Sequence, residues 1–155
     1  MKFLLTPELG RLARWLRATG YDAAVFEGET PDLLARATFE KRILLTRRTG
    51  LRHHRGTPVV TLLSDHIREQ LKEVSRSCRL RSLQKHLFTR CLLCNVPVEP
   101  IAKEKIKRRT PPYVFKTQKD FSHCPKCGRV YWAATHWERA SNFLAVLTRK
   151  EGSPR

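Results

Sequence analysis

Two C-x-x-C hooks constrain this chain more than any other feature: Cys91-Leu92-Leu93-Cys94 and Cys124-Pro125-Lys126-Cys127, with twenty-nine residues between them. Each tight turn points both of its sulfurs the same way, so two such turns bring four thiolates together tetrahedrally around one zinc ion. A closed four-thiolate set keeps no position for water or substrate, which predicts a structural metal and a zinc ribbon. Two rival uses of the cysteines are weaker. A disulfide framework belongs to oxidising compartments and would leave Cys78 as an odd fifth thiol. A thioredoxin-like redox pair needs a hook at a strand-to-helix junction, whereas Cys91 follows a basic, turn-like run.

The chain of 155 residues has room for a domain of about ninety residues followed by a small metal-stapled one. Hydrophobic residues make up 41% of it, enough for a core despite the high charge. That charge is +17 at neutral pH, and it is shared: residues 1–90 hold 18 basic and 9 acidic side chains, residues 91–155 hold 13 and 5. A compact protein with this much self-repulsion calls for a polyanionic partner whose phosphates neutralise it and release counterions. The apolar run Met1 to Leu5 is cut off by Thr6-Pro7-Glu8, short of a signal sequence, and no run of about 18 apolar residues exists to span a membrane. The expected setting is soluble, reducing and cytoplasmic, with no membrane attachment.

Lys2 to Leu5 predicts a short strand. Thr6-Pro7-Glu8 then offers an N-cap, a proline for the first helical position and an acid for the first turn. Leu9, Leu12, Ala13 and Leu16 recur at helical spacing, Arg11, Arg14 and Arg17 fall on other faces, and Gly20 ends the helix. Ala23 to Phe26 reads as a second strand, and Thr30-Pro31-Asp32 repeats the helix-start chemistry before Leu33, Leu34 and Ala37. Ile43 to Thr46 is a buried-type strand, Val59 to Leu63 a fourth, and Ser64 is expected to cap a helix carrying Ile67, Leu71 and Val74. Strands alternating with helices predict a parallel sheet with crossover helices. Sites in such sheets form in the loops at the carboxyl ends of the strands, which here hold Thr6, Glu8, Glu27, Glu29, Arg47 and Arg48. Residues 79–90 read as a basic connector. The run Lys103 to Arg109 ends in Thr110-Pro111-Pro112, expected to be a turn or extended stretch.

Several stretches taken together resemble one family. Phe3-Leu4-Leu5 with Leu9-Gly10-Arg11-Leu12-Ala13-Arg14-Trp15-Leu16-Arg17 and Gly20-Tyr21-Asp22, then Arg42-Ile43-Leu44-Leu45-Thr46-Arg47, Arg90-Cys91-Leu92-Leu93-Cys94-Asn95, and Cys124-Pro125-Lys126-Cys127-Gly128-Arg129-Val130-Tyr131-Trp132 with His136-Trp137 are similar to the Mut-seven C-terminal RNase family. The resemblance implies a PIN-like α/β domain over residues 1–78, a connector over 79–90, a four-cysteine zinc ribbon over 91–145 and a frayed basic tail over 146–155. It also implies RNA as the partner and phosphodiester hydrolysis by Mg²⁺ or Mn²⁺ held on several carboxylates. Here the chain departs from the family pattern. An aspartate is expected after the first strand, where Thr6 stands, and another after Leu44-Leu45-Thr46-Arg47, where Arg48 stands; a third acid expected at the start of the second helix falls near Thr30, with Asp32 as a displaced substitute. A guanidinium inside the cluster repels a divalent cation by several kcal/mol at close range.

The reading that follows is an RNA-binding module that has lost its cutting chemistry and grips structured RNA or a ribonucleoprotein such as the ribosome. Arg47, Arg48, Arg52 and Arg55 form the basic loop at the former active site, since arginine forks suit phosphate oxygens. In the ribbon, Lys103, Lys105, Lys107, Arg108 and Arg109 would lie along the backbone, and Tyr131, Trp132, His136 and Trp137 would contact bases or phosphates, although small ribbons also need aromatic packing. The alternatives are an active endoribonuclease using Mg²⁺ or Mn²⁺ on a relocated cluster of Glu8, Glu29 and Asp32, and a zinc-ribbon DNA-binding or bridging factor.

Overall fold

Four short apolar segments build the first sheet of the computed structural model, which describes residues 1–51, 56–80 and 86–132. They are β1 (Lys2–Leu5), β2 (Asp22–Val25), β3 (Ile43–Thr46) and β4 (Val59–Thr61), all parallel, in the order β2-β1-β3-β4. The central strands are apolar without alternation because both faces are covered. Phe3, Leu5 and Leu45 face helices α1 (Gly10–Ala18) and α3 (Ile67–Cys78), packing with Leu12, Leu16, Leu71 and Val74. Leu4 and Leu44 face the other way, against Leu33, Leu34 and Ala37 of α2 (Thr30–Phe39). The expected α/β architecture with crossover helices is therefore present.

Several boundaries differ from the expectation, each for a local reason. The Thr6-Pro7-Glu8 signal opens a single 3-10 turn, Pro7–Leu9, before α1, and the Thr6 hydroxyl caps nothing because it is turned to Glu8 and Thr46. Strand β4 stops at Thr61, short of Leu63. Ser64 also leaves the cap position to His66: its hydroxyl accepts the His66 N–H at 3.1 Å, while the Glu73 carboxylate accepts the N–H groups of Leu63 and Ser64. Thr110-Pro111-Pro112 is the entry to a further helix, α4 (Pro112–Thr117), with proline at its first position, where a missing N–H costs nothing.

Strands β5 (Glu99–Pro100), β6 (Phe121–His123) and β7 (Val130–Trp132) make a small antiparallel sheet carrying the two hooks, and α4 lies in the excursion between β5 and β6. This ribbon docks on the open edge of the parallel sheet. The outward backbone groups of β2 at Ala23 are both used: the N–H donates to Asn95 Oδ1 at 3.0 Å, and the carbonyl accepts from Arg17 Nε at 2.8 Å. Asn95 Nδ2 donates to Asp22 Oδ1 (2.7 Å), which also receives Arg42 Nη1 (2.6 Å). Arg17 Nη1 reaches the carbonyls of Leu92 and Leu93 inside the first hook, at 2.8 and 2.9 Å. Gly20 makes room for the incoming chain: at φ +87° it stops α1, and a Cβ there would stand 2.5 Å from the His86 carbonyl oxygen. No helix among the described residues is long and apolar enough to cross a membrane.

The dock is testable at Asn95, which sits at φ +63°. Asn95→Gly keeps that backbone and removes only the side-chain bonds, and is expected to lower the urea-unfolding free energy by about 1–3 kcal/mol. Burial alone would raise the Asp22 carboxyl, but the hydrogen bonds from Arg42 and Asn95 hold it below the ordinary 3.8. Its contribution is therefore complete above about pH 4 and lost as pH falls through the depressed folded value, so Asp22→Asn should flatten the acid limb of the stability profile.

Candidate metal centre and nucleic-acid cleft

The two hooks are near copies of one another, and their backbone explains why. In each, the second cysteine donates its N–H to the first cysteine's sulfur, Cys94 to Cys91 at 3.3 Å and Cys127 to Cys124 at 3.4 Å. The next residue, Asn95 or Gly128, turns left-handed and donates its N–H to the carbonyl of Cys91 or Cys124. All four sulfurs lie within 4.8 Å of one another, and Cys91 and Cys127 are 3.8 Å apart. A tetrahedral ion with metal–sulfur bonds of about 2.3 Å requires sulfur separations of about 3.8 Å, so the donor set fits. The four cysteines are positioned to bind a metal ion.

Tyr131 completes the centre. Its hydroxyl donates to Cys91 Sγ at 3.1 Å and accepts the Leu92 N–H at the same distance. Burial pushes the Cys91 thiol up, but the Tyr131 hydroxyl and the N–H groups of Cys94 and Leu93 outweigh it and bring it down to about 6. Cys94, hydrogen-bonded to Cys127 and beside that charge, is pushed up to about 12. These donors favour the thiolate at Cys91, and an ion bound by the four sulfurs would crosslink the two hooks.

A second constellation forms at the carboxyl end of the parallel sheet. The chain runs outward from β1 in opposite directions to β2 and to β3, so the crevice between β1 and β3 is the switch point of the sheet. Thr46 and Thr61, paired at the ends of β3 and β4, and Thr6, one residue past β1, fall in one row on the face covered by α2. The Thr6 hydroxyl donates to Glu8 Oε1 at 2.5 Å and stands 3.3 Å from Thr46 Oγ1, which accepts the Arg48 N–H. Arg48 Nη1 donates to Thr30 Oγ1 at the start of α2 (3.4 Å). The Thr61 hydroxyl is buried without a hydrogen-bond partner among the described residues. Glu8 is the carboxylate of this crevice. Burial raises it, but the Thr6 hydroxyl, backbone N–H groups including that of Arg47, and the nearby Arg48 charge prevail, holding it below the ordinary value.

The remaining sequence-derived candidates divide. Glu29 and Asp32 are exposed around the start of α2, and among the described residues the cysteines are the group of three or more ligands that converges. Arg47 is exposed beside Arg48. Lys103 donates to the Gln118 carbonyl and covers the Phe115 ring, and Arg109 donates to the Gly128 carbonyl, while Lys105, Lys107 and Arg108 are exposed. Trp132 is half-buried with its ring tilted against Phe121. Arg52, Arg55, His136 and Trp137 lie outside the described residues. Sequence reasoning missed Arg17, Asn95, Thr46 and Thr61. Asn95 had a signal, since it occupies after the first hook the place that Gly128 occupies after the second.

A family model described as the Mut7-C RNAse domain matches residues 1–144, nearly the whole chain. The chain belongs to the Mut7-C RNAse domain family. No curated protein and no solved structure matches it. Thr6, Arg48 and Thr30, the positions where the sequence resemblance leads one to expect acids, lie around one crevice.

Removing the Tyr131 hydroxyl tests the centre without touching a ligand. Tyr131→Phe is expected to weaken metal affinity about 10- to 100-fold, measured by competition with a chromophoric chelator, while keeping four thiolates on the metal as seen in the cobalt(II) spectrum.

Proposed function

We propose that this Mut7-C chain is an RNA-binding protein that holds phosphates where its relatives' acids would hold a divalent cation, with a structural zinc ion on Cys91, Cys94, Cys124 and Cys127. The observation that carries the reading is Arg48 bonded to Thr30 over the Thr6–Thr46 pair. A crevice in which the Glu8 carboxylate shares the opening with a row of hydroxyls and a guanidinium suits an anion better than Mg²⁺ or Mn²⁺. The net charge of +17 supports a polyanionic partner, structured RNA or a ribonucleoprotein such as the ribosome. The zinc identity follows from four sulfur donors in a closed tetrahedral set. Its role is to staple a ribbon too small to hold its own core.

The test is an RNA panel incubated with the zinc-loaded chain and Mg²⁺ or Mn²⁺. Binding without cleavage is expected, and Arg48→Ala should weaken binding severalfold while reducing the slope of log affinity against log salt by about 1. Metal-dependent cleavage that disappears in Glu8→Ala would overturn the reading in favour of an active nuclease.

A further inference from the structure

The excursion between the hooks is a built platform. Residues 103–119 carry seven basic side chains and one acid, yet they fold tightly. Ile106 is fully buried, and Thr110 donates its hydroxyl to the Ile106 carbonyl. Lys103 spans from the Phe115 ring, 4.8 Å away, to the Gln118 carbonyl, and Thr117 donates to the Tyr113 carbonyl. Arg109 ties the excursion to the second hook through the Gly128 carbonyl.

On this rigid support one aromatic ring is left in solvent. Tyr113, on the first turn of α4, is 76% exposed, and neither its ring nor its hydroxyl has a partner among the described residues. The other rings of the ribbon are occupied: Phe115 under Lys103, Phe121 and Trp132 against each other, Tyr131 on the metal centre. Along the chain on either side of Tyr113, from residue 105 to 119, every charged residue is a cation. Lys116 lies one turn along the same face of α4, Lys119 follows the helix, and Lys105, Lys107 and Arg108 precede it; all five are exposed, and none makes an ion pair among the described residues. An aromatic anchor for a protein partner is normally ringed by apolar contacts that exclude water. A ring set among unpaired cations matches a nucleotide, with a base on the aromatic face and phosphates on the lysines.

We propose that Tyr113 is a stacking platform for an unpaired RNA base, flanked by Lys116 and the 105–108 run as phosphate contacts. The inference rests on the RNA-binding reading and deepens it by naming the substrate class: unpaired nucleotides of a loop, bulge or end, whose bases can be splayed onto a side chain. Duplex RNA, with its bases stacked internally, offers Tyr113 nothing.

The experiment compares a single-stranded RNA of about twelve nucleotides with the corresponding duplex, on the zinc-loaded full chain, by fluorescence anisotropy. Tyr113→Ala is expected to weaken single-strand binding about tenfold and duplex binding by less than about twofold; Tyr113→Trp should stay within about twofold of the parent on both. Lys116→Ala should weaken both RNAs and reduce the salt slope by about 1. If Tyr113→Ala binds the single strand as tightly as the parent, or loses equally on the duplex, the inference fails while RNA binding stands. If the parent chain holds neither RNA more tightly than a polyphosphate of equal charge, the RNA-binding reading fails and this one with it.

Discussion

The buried guanidinium of Arg17 is the joint on which the architecture depends. One helical side chain satisfies three carbonyls belonging to two units: Ala23 on the open edge of the parallel sheet, and Leu92 and Leu93 within the first hook. Burial works against its charge, while the nearby Cys91 sulfur favours it. An edge strand is ordinarily a liability, presenting unpaired N–H and carbonyl groups to any passing chain. Here the liability is closed from within, because Arg17 takes the Ala23 carbonyl and Asn95 its N–H. The metal hook thus finishes the sheet, and the sheet edge in turn fixes the hook.

The crevice at the other end of the sheet obeys a different constraint. Holding a divalent cation demands several carboxylates whose mutual repulsion the metal relieves. Glu8, already satisfied by the Thr6 hydroxyl and the Arg47 N–H, provides little of that field. Arg48, bonded to Thr30 across the same opening, reverses it. Hydroxyls at Thr6, Thr46 and Thr61 keep the row polar without adding charge. The sheet thus sets hydroxyls, one guanidinium and the Glu8 carboxylate at its carboxyl end.

Strands, helices and hooks were legible because each carries a local signature: apolar runs for a sheet covered on both faces, 3.6-residue spacing for α1 and α3, and paired C-x-x-C turns. The docking was not. Arg17 looked like one more solvated arginine on a basic helix, and Asn95 like a turn residue, because their partners lie more than seventy residues away. Tyr131 illustrates the same limit from the other side. An aromatic in a small basic ribbon left base contact and core packing both open, and neither reading pointed to the bond its hydroxyl makes with Cys91. Tyr113, hidden behind a Pro-Pro pair that reads as a turn, is left exposed among the described rings of the ribbon, and the helix that follows Pro111 presents it.

The two surfaces, crevice and platform, are linked through the Arg17 joint and the second hook. The crevice is set by the register of β1 and β3. The platform is set by the second hook, through Arg109 and Gly128. Between them stand the metal centre and the Arg17 joint. On the proposed reading both surfaces grip one RNA, and their combined affinity then depends on how well their separation is fixed. Two weak sites held at a constant spacing act at high effective concentration on one ligand, and the same sites on a loose hinge lose most of that advantage. On that reading a metal ion on the hooks and the buried arginine would govern binding without touching the ligand, by holding the distance between the residues that do.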